Sequence, residues 1–220
     1  MMSTRFVLTL IVAAVAGCAT TEAPDPLERL NRKVFAFNDG VDATILKPLA
    51  TTYLKVTPEP VRAGVGNFFS NAQDIGSAAN LVLQGRPVEG GREAGRFATN
   101  SVLGILGFVD VATPLGLERH RTSFGSTLTQ WGVEPGAYIV WPLLGPSCAR
   151  DAVGIPIDWL TNPLSWLSIV PMRNGLTATE LVAARAAALP ITNMIDDVAL
   201  DRYLFVRDAY LQRHRRTVEE

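Results

Sequence analysis

Apolar side chains recur every three or four positions in the first part of the chain, which is the spacing of an α-helical face. The first stripe consists of Leu27, Leu30, Val34, Phe37 and Val41. Asp25 precedes this stripe as the expected N-cap, and Pro26 occupies the first helical position, where its missing N–H costs nothing. The pattern therefore predicts a helix here, which Pro48 interrupts before Pro58 and Pro60 end the region.

Two further helices are predicted in the next part of the chain. An apolar stripe marks one face of residues 61–84 and consists of Val61, Val65, Phe68, Ala72, Ile75, Ala79 and Val82. Gly85 is a natural C-cap for this helix, and Pro87 stops it. Residues 88–103 show the pattern of a third helix in spite of the glycines within it.

Glycine and proline punctuate the middle of the chain between residues 104 and 163. They divide it into short segments, and no long alternation of apolar and polar residues indicates a strand. We therefore expect short helices and turns around apolar residues, with half-helices lying in one plane.

The last part of the chain returns to a helical pattern. Residues 175–188 are predicted to form a helix that ends before Pro190. Asp196 or Asp197 is expected to cap a last helix that runs to about residue 215, where basic residues suit the helix dipole. The predicted fold class is therefore mostly α, and no apolar run after the first residues is long enough for a conventional transmembrane helix.

The start of the chain has the pattern of an export signal. Arg5 precedes an apolar run over residues 6–16, which is too short to cross a bilayer. The run closes on Val-Ala-Gly-Cys at residues 15–18, which matches a lipobox. An ordinary secretory peptide with a chance cysteine is the alternative interpretation.

The lipobox divides the chain into three parts. Residues 1–17 are predicted to be a lipoprotein signal peptide, and Cys18 is predicted to carry S-diacylglycerol and an N-acyl group after cleavage. Residues 18–24 form a lipidated tether, and residues 25–220 form one helical domain. Loss of the signal peptide leaves 203 residues (220 − 17), which is enough for one domain with a real core.

Charge and cysteine content exclude some partners. The formal net charge is −1, and it becomes −2 when Arg5 is removed with the signal peptide. The chain therefore lacks the basic surplus that binding to nucleic acid requires. Cys148 is the only other cysteine, so no disulfide framework is expected once Cys18 is acylated. Cys148 is interpreted as a small buried residue, with a reactive thiol as the alternative.

Tryptophan and charge are distributed unevenly along the chain. Residues 125–172 hold only four charged side chains, whereas residues 173–220 hold 14. The charge-poor part also holds all the tryptophans, Trp131, Trp141, Trp159 and Trp166. Tryptophan favours the membrane–water interface, but a hydrophobic core also collects it, and composition leaves both interpretations open.

The sequence lacks the common motifs of hydrolases, metalloproteases, nucleotide-binding loops and dithiol redox proteins. We therefore predict no enzyme, no catalytic residue and no metal site. His120 and His214 are the only histidines, and both are interpreted as solvated surface residues. Asp196, Asp197 and Asp201 cluster at a helix start, where capping explains them better than calcium does.

Isolated charges in the apolar part of the chain offer the sharpest candidate site. Asp151 either caps a helix or, with Arg150, faces a wet passage through apolar material, since a charge there is costly unless it is paired or hydrated. Asp158 lies between Ile157 and Trp159 and poses the same question.

Several separate motifs occur in an order that resembles the MlaA (VacJ) family of lipoproteins. The resemblance covers about residues 25–213. The motifs are DPLERLNR from Asp25, FAFN from Phe35, NLVLQG from Asn80, RFATN from Arg96, GILGFVD from Gly104, FGSTL from Phe124, WGV from Trp131, GAY from Gly136, GPS from Gly145, RD from Arg150, and Tyr203 with RDAYLQR from Arg207. The chain departs from the family pattern at Cys148, where Thr or a similar small residue is expected, and at residues 121–123.

The resemblance implies a single ring-like helical domain embedded in the inner leaflet of the outer membrane. Its Gly/Pro-rich and Trp-rich central region would line an amphipathic channel. Phospholipid misplaced in the outer leaflet would pass through this channel to a soluble periplasmic carrier of the MlaC type, which maintains the lipid asymmetry of the membrane. Trimeric outer-membrane porins are the implied protein partners, and no cofactor is implied beyond the acyl groups on Cys18. The candidate channel residues are Asn38, Asp74, Arg150, Asp151 and Asp158.

Two alternatives to the lipid-transport hypothesis stay open. An envelope phospholipase would use His120 with Ser123 or Ser126, and a purely structural lipoprotein would stabilise porins without moving lipid. Gly104 and Gly107 also suggest joints that would let a gating loop move.

Overall fold

A computed structural model describes residues 25–219, with side chains as far as residue 214. Its elements are α1 (Glu28–Val41), a π-helical turn (Asp42–Leu46), α2 (Lys47–Val56), α3 (Glu59–Leu83), α4 (Pro87–Val102), α5 (Phe124–Gln130), β1 (Tyr138–Trp141), β2 (Gly145–Cys148), α6 (Ala149–Thr161), a 3-10 turn (Pro163–Trp166), α7 (Val170–Val198) and α8 (Arg202–Glu219). The predicted mostly-α class is confirmed. The predicted signal peptide, the lipidated Cys18 and the tether lie outside the described residues.

The α3–α4 pair is the largest packed unit, and both helices follow the prediction to within a few residues. Gly85 has a φ of +78°, in the left-handed region that ends many helices, and Pro87 lies in the first turn of α4. Gly90 allows the two helices to approach closely, because a Cβ there would lie 2.8 Å from Val82 and 2.9 Å from the Ala78 carbonyl oxygen. Glycine therefore serves the turn at Gly85 and helix packing at Gly90.

The first helix begins later than predicted, at Glu28, and Asp25 does not cap it. The Asp25 carboxylate instead accepts hydrogen bonds from Asn31 (2.9 Å) and from the Tyr203 hydroxyl, which ties the start of α1 to α8. The helical path continues past Pro48, since Leu46 and Lys47 have helical backbone angles and the π-helical turn joins α1 directly to α2.

A two-stranded antiparallel hairpin lies where the sequence predicts only short helices and turns. Tyr138 of β1 pairs with Cys148 of β2, and Trp141 pairs with Gly145. Each strand has four residues, and β2 contains both glycine and proline, so apolar alternation is too short to indicate it. The hairpin places Cys148 at the start of α6.

Helix α7 continues through Pro190, although the sequence predicts that it ends there. Proline removes one backbone hydrogen bond from a helix interior. The carbonyl oxygen that loses its donor is that of Ala186, four residues before Pro190. Buried Ala186 and Leu189 also anchor this part of α7 against Ala50 of α2.

The last helix, α8, begins later than predicted and has a different cap. Asp196 and Asp197 lie inside the last turn of α7, and the helix cap is Asp201, whose carboxylate accepts the Leu204 N–H over 3.0 Å. Asp196 pairs instead with Arg202, with an N–O distance of 3.1 Å. Asp201 and Asp196 therefore serve different purposes, one as a helix cap and the other as an ion-pair partner.

Polar side chains fill much of the interior, and many large apolar side chains face outward. The buried polar residues of α3 are Asn71, Asp74, Ser77 and Asn80. The apolar stripe predicted on this helix is buried only in part, since Ala72 is buried but Val61 and Val82 are each 53% exposed. Outward apolar side chains are favoured where the surroundings are lipid instead of water. Among the described residues, no helix has the length and apolar character needed to cross a membrane.

Candidate functional site

A buried ion-pair network is centred on Arg96 of α4 and reaches Asp74 of α3. Arg96 on α4 is fully buried and donates to both carboxylate oxygens of Asp110, over 3.1 and 3.0 Å. Its guanidinium also donates to Thr113 (3.0 Å) and to the Leu117 carbonyl oxygen. This network holds the long loop after α4 against the helix pair.

Asp74, a candidate channel residue from the sequence, belongs to this network. Its carboxylate oxygens lie 3.0 Å from Arg119 Nε and 3.6 Å from Arg96 Nε. Burial raises the pKa of Asp74 to about 6, and the nearby arginines only partly offset it. By contrast, hydrogen bonds from Thr113 and Arg96 overcome burial and hold the pKa of Asp110 well below its usual range. Asp74 therefore acts as a structural ion-pair partner in this geometry.

A polar cavity of about 320 Å³ opens beside the inner face of α3. Its lining carries guanidinium, hydroxyl, amide and carboxylate groups from four parts of the chain. These include Gln73, Ser77, Arg121, Ser126, Asp158 and Arg213. The mixture of charges of both signs with hydroxyl groups suits a ligand that itself carries both charges.

Asp158, another predicted candidate, lines this polar cavity from α6. Its carboxylate accepts hydrogen bonds from the Phe124 backbone N–H (2.8 Å) and from Asn80 Nδ2 (3.2 Å). Burial raises the pKa of Asp158, and these two hydrogen bonds partly offset the rise. Asn80 in turn accepts the Thr127 hydroxyl over 2.9 Å, so the carboxylate is held by a chain of contacts across three helices.

An apolar cavity of about 350 Å³ adjoins the polar one. It lies between α2, α3 and α7, and its lining includes Tyr53, Leu54, Phe69, Ala183, Ala186 and Ala187. Gln73 and Arg121 line both cavities, so they mark the place where the apolar space meets the polar space. Gln73 is held there by a hydrogen bond to Glu180 of α7 over 2.7 Å. The two cavities together form an amphipathic site.

Arg150 and Asp151 lie at the start of α6, outside the lining of these two cavities. Arg150 is buried and donates to Asp151 Oδ1 and to the Val133 carbonyl oxygen, over 3.0 and 3.1 Å. Asp151 Oδ2 lies 2.5 Å from His214 Nε2 and accepts the Tyr210 hydroxyl over 3.1 Å. Both side chains are thus engaged with neighbouring groups of the protein, and the N-terminus of α6 has no side-chain cap.

His214 is therefore not the solvated surface residue that the sequence suggests. Its hydrogen bond to Asp151 raises its pKa to about 9, with a further contribution from Cys148. The same contact, with that of Arg150, overcomes burial and holds the pKa of Asp151 well below its usual range. Cys148 is buried next to them, as predicted for a small core residue.

Asn38, a candidate channel residue, instead holds the tip of the hairpin. Its side chain donates to the Trp141 carbonyl oxygen (2.9 Å) and accepts the Leu143 N–H (2.8 Å). Asn31, two helical turns earlier on α1, makes the same pair of contacts to β1, with Tyr138 and Val140. Sequence reasoning missed Asn31, and the seven-residue spacing of the two asparagines is the signal that could have found it.

The four tryptophans lie at the surface, so the interpretation of a plain tryptophan core is wrong. They are Trp131, Trp141, Trp159 and Trp166, with exposed fractions between 38% and 66%. The indole N–H groups of Trp131 and Trp166 are nevertheless satisfied by backbone carbonyl oxygens of Leu83 and Leu160. Exposed rings with satisfied polar edges are typical of an apolar boundary.

The residues proposed for a phospholipase serve other purposes. His120 lies 3.6 Å from the buried carboxylate of Glu93, which also accepts its backbone N–H. Ser123 caps α5 by accepting the Ser126 N–H over 3.3 Å. Among the described contacts, His120 makes no hydrogen bond to either serine, so the nucleophile–base pair is not assembled.

Gly104 and Gly107 are closely packed residues. A Cβ on Gly104 would lie 2.1 Å from the Val109 carbonyl oxygen, and one on Gly107 would lie 2.6 Å from Asn71. Both glycines are thus required by close approach, which is a simpler reason for them than a moving joint. The segment between them carries Ile105 and Leu106 with positive φ and exposed side chains.

The site combines residues that the sequence indicated with residues that it did not. Of the candidates, Asp158 lines the polar cavity, Asp74 lies in the neighbouring ion-pair network, and the others lie elsewhere. Gln73 and Arg121 were missed because each is a single polar residue with no motif around it. The signal that was available is the three- and four-residue spacing of polar residues on α3.

Comparisons with known proteins agree with this fold. Residues 23–217 match the family model of the MlaA lipoprotein. The intermembrane phospholipid transport system lipoprotein MlaA of Shigella flexneri is 37% identical, over 94% of this chain and 85% of its own length. An uncharacterised protein of Rickettsia typhi is 36% identical, over 92% of this chain and 80% of its own.

A solved structure from work on the structural basis for maintenance of bacterial outer membrane lipid asymmetry is also similar. It superposes with a TM-score of 0.76 at 37% sequence identity, and the match covers 88% of this chain and 98% of that one. Family model, relatives and structure thus agree over most of the chain. The chain belongs to the MlaA lipoprotein family.

Proposed function

We propose that this chain is an outer-membrane lipoprotein that takes misplaced phospholipid from the outer leaflet and passes it toward the periplasm, which maintains lipid asymmetry. The observation that carries the proposal is the amphipathic site, in which an apolar and a polar cavity share Gln73 and Arg121. The relatives from Shigella flexneri, Escherichia coli and Haemophilus influenzae are named as lipoproteins of an intermembrane phospholipid transport system, which supports the proposal.

The chemistry of the two cavities matches the two parts of a phospholipid. Acyl chains prefer the space lined by Leu54, Phe69 and the alanines of α7, because burial removes their apolar surface from water. The phosphodiester is attracted by the Arg121 guanidinium, which presents a planar donor fork suited to phosphate oxygens. Asp158 lies in the same cavity and offers a carboxylate to a cationic head group.

Attachment to the membrane is supported by two features. The lipobox predicts acyl groups on Cys18, and more than one chain is needed for stable anchoring. The exposed apolar side chains and surface tryptophans suit embedding in the inner leaflet of the outer membrane. A trimeric porin and a soluble periplasmic carrier of the MlaC type are the proposed protein partners.

The test is a measurement of outer-leaflet phospholipid with an impermeant head-group label in cells that lack the protein. We expect surface phospholipid to rise on deletion, to fall with the wild type, and to stay high with Cys18→Ser. An unchanged level on deletion would refute the transport proposal and favour the structural alternative.

A cavity-filling variant separates transport from a structural role. Ala187→Phe places a ring in the apolar cavity, whereas Ala178→Phe adds the same ring to α7 at a residue that lines neither cavity. We expect Ala187→Phe to leave surface phospholipid high and Ala178→Phe to lower it, with both variants folded and associated with porin. Full function of a folded Ala187→Phe variant would contradict a lipid path through this cavity.

A further inference from the structure

Three metal-ligating side chains converge at the junction of the hairpin, α6 and α8. Cys148 ends β2, Asp151 lies in the first turn of α6, and His214 lies on α8. One ligand atom from each residue lies within 4.8 Å of the other two. Their functional groups are a thiol, a carboxylate and an imidazole, which is a donor set that zinc accepts.

The surrounding contacts hold these ligands beside one another, with the Tyr210 hydroxyl 3.1 Å from Asp151 Oδ2 and 3.2 Å from His214 Nε2. His214 Nδ1 lies 3.3 Å from the Tyr210 carbonyl oxygen, which leaves Nε2 as the nitrogen directed at Asp151. The imidazole ring also stacks on the Tyr210 ring, with a centroid distance of 4.3 Å. Arg150 occupies Asp151 Oδ1, which directs Oδ2 to His214. Such outer contacts are the usual way in which proteins fix metal-ligating histidines and carboxylates.

The same geometry is unfavourable for a nucleophilic triad. In a triad, one histidine nitrogen faces the nucleophile and the other faces the carboxylate. Here the carboxylate meets Nε2, and Nδ1 is directed at a backbone carbonyl, so the relay order is not made. Cys148 is also only 3% exposed, so a bulky substrate has no access to its sulfur.

We propose that Cys148, Asp151 and His214 form a Zn²⁺ site that joins the C-terminal helix to the hairpin. Binding releases the thiol proton of Cys148 and the proton of the His214 imidazolium, because the metal takes the thiolate and the neutral imidazole. The cation then balances the thiolate and the carboxylate, while Arg150 keeps its contact with Asp151 Oδ1. The inference is independent of the lipid-transport proposal.

The experiment uses the full chain, purified from membranes in detergent, stripped with a chelator and titrated with Co²⁺ as a spectroscopic probe. We expect one equivalent of Co²⁺ to give a thiolate-to-metal charge-transfer band that Zn²⁺ displaces. Cys148→Ser should abolish the band, and both Cys148→Ser and His214→Gln should weaken Zn²⁺ binding at least about 100-fold, beyond the usual effect of altering an outer contact.

Two controls keep the result specific. His120→Gln removes the only other histidine and should leave Zn²⁺ affinity unchanged, and Cys18→Ser should keep the charge-transfer band. Zn²⁺ should also raise the melting temperature of the wild type and leave that of Cys148→Ser unchanged. Absence of the band in the folded wild type, or equal Zn²⁺ affinity in the wild type and in folded Cys148→Ser, would overturn the proposal.

Discussion

Replacing Arg96 by methionine tests whether the buried ion-pair network holds the fold. Methionine keeps much of the side-chain length but removes the charge and all the hydrogen bonds of the guanidinium. Asp110 loses two contacts near 3.0 Å, and Asp74 keeps Arg119 as its nearest cation. Asp74 is almost fully buried and Asp110 is partly buried, so water replaces the missing guanidinium only in part.

The expected cost follows from the burial of the pair. Arg96 is completely buried and Asp110 is 23% exposed at its side chain, so little of their interaction is screened by solvent. Removing one partner of a buried ion pair costs about 3–5 kcal/mol. With a urea dependence of about 2 kcal/mol per molar, the unfolding midpoint should fall by about 2 M.

The assay is urea unfolding of the detergent-solubilised chain, followed by far-ultraviolet circular dichroism. Arg86→Met is the matched control, because Arg86 forms an exposed pair with Glu89 and its loss should leave the midpoint unchanged. The double variant Arg96→Met, Asp110→Asn should recover part of the loss, since it removes the stranded charge as well. Equal midpoints for Arg96→Met and Arg86→Met would refute the reasoning.

Three further predictions concern separate parts of the molecule. In the chain stripped of metal, the His214–Asp151 pair should add stability that is complete below the ordinary histidine pKa of 6.5 and is lost as pH rises through about 9, because folding raises this pKa. Thermal unfolding of the stripped chain across the alkaline range should show the loss, and His214→Gln should abolish it. Gly104→Ala should destabilise the fold by about 3 kcal/mol through overpacking. Gly91 has open space around it, so Gly91→Ala should stabilise the fold by about 0.5–1 kcal/mol. Equal stabilities of the two variants in chemical unfolding would contradict this. Trp159→Ser should reduce flotation of the unlipidated chain with phospholipid vesicles, since this ring is 54% exposed, and unchanged flotation would exclude Trp159 from the membrane contact.

The helices that sequence predicted well are those whose signals are local. The α3–α4 pair has apolar periodicity together with Gly85 and Pro87 at the junction, and each of these acts within a few residues. The hairpin was not predicted, because its strands are held by Asn31 and Asn38 of α1, about a hundred residues earlier in the chain. No local pattern reports such a contact.

The candidate site shows the same division between local and distant information. Sequence singled out Asp158 because a lone charge in an apolar segment is conspicuous, and it lies in the polar cavity. It misjudged His214, because nothing near that residue indicates that Asp151 lies 2.5 Å away. The sequence also could not predict which surface of α3 is buried. An apolar stripe marks the surface that meets apolar surroundings, and these can be a protein core or a lipid.

The polar interior has a consequence for how this protein loses solubility. Its helices are joined largely by hydrogen bonds and ion pairs, such as those of Arg96 and Asn80, which do not depend on the expulsion of water. Its outer surface, by contrast, is attractive to any other apolar surface. A copy stranded in water should therefore precipitate while its helices are still intact, so insolubility in this chain does not signify unfolding.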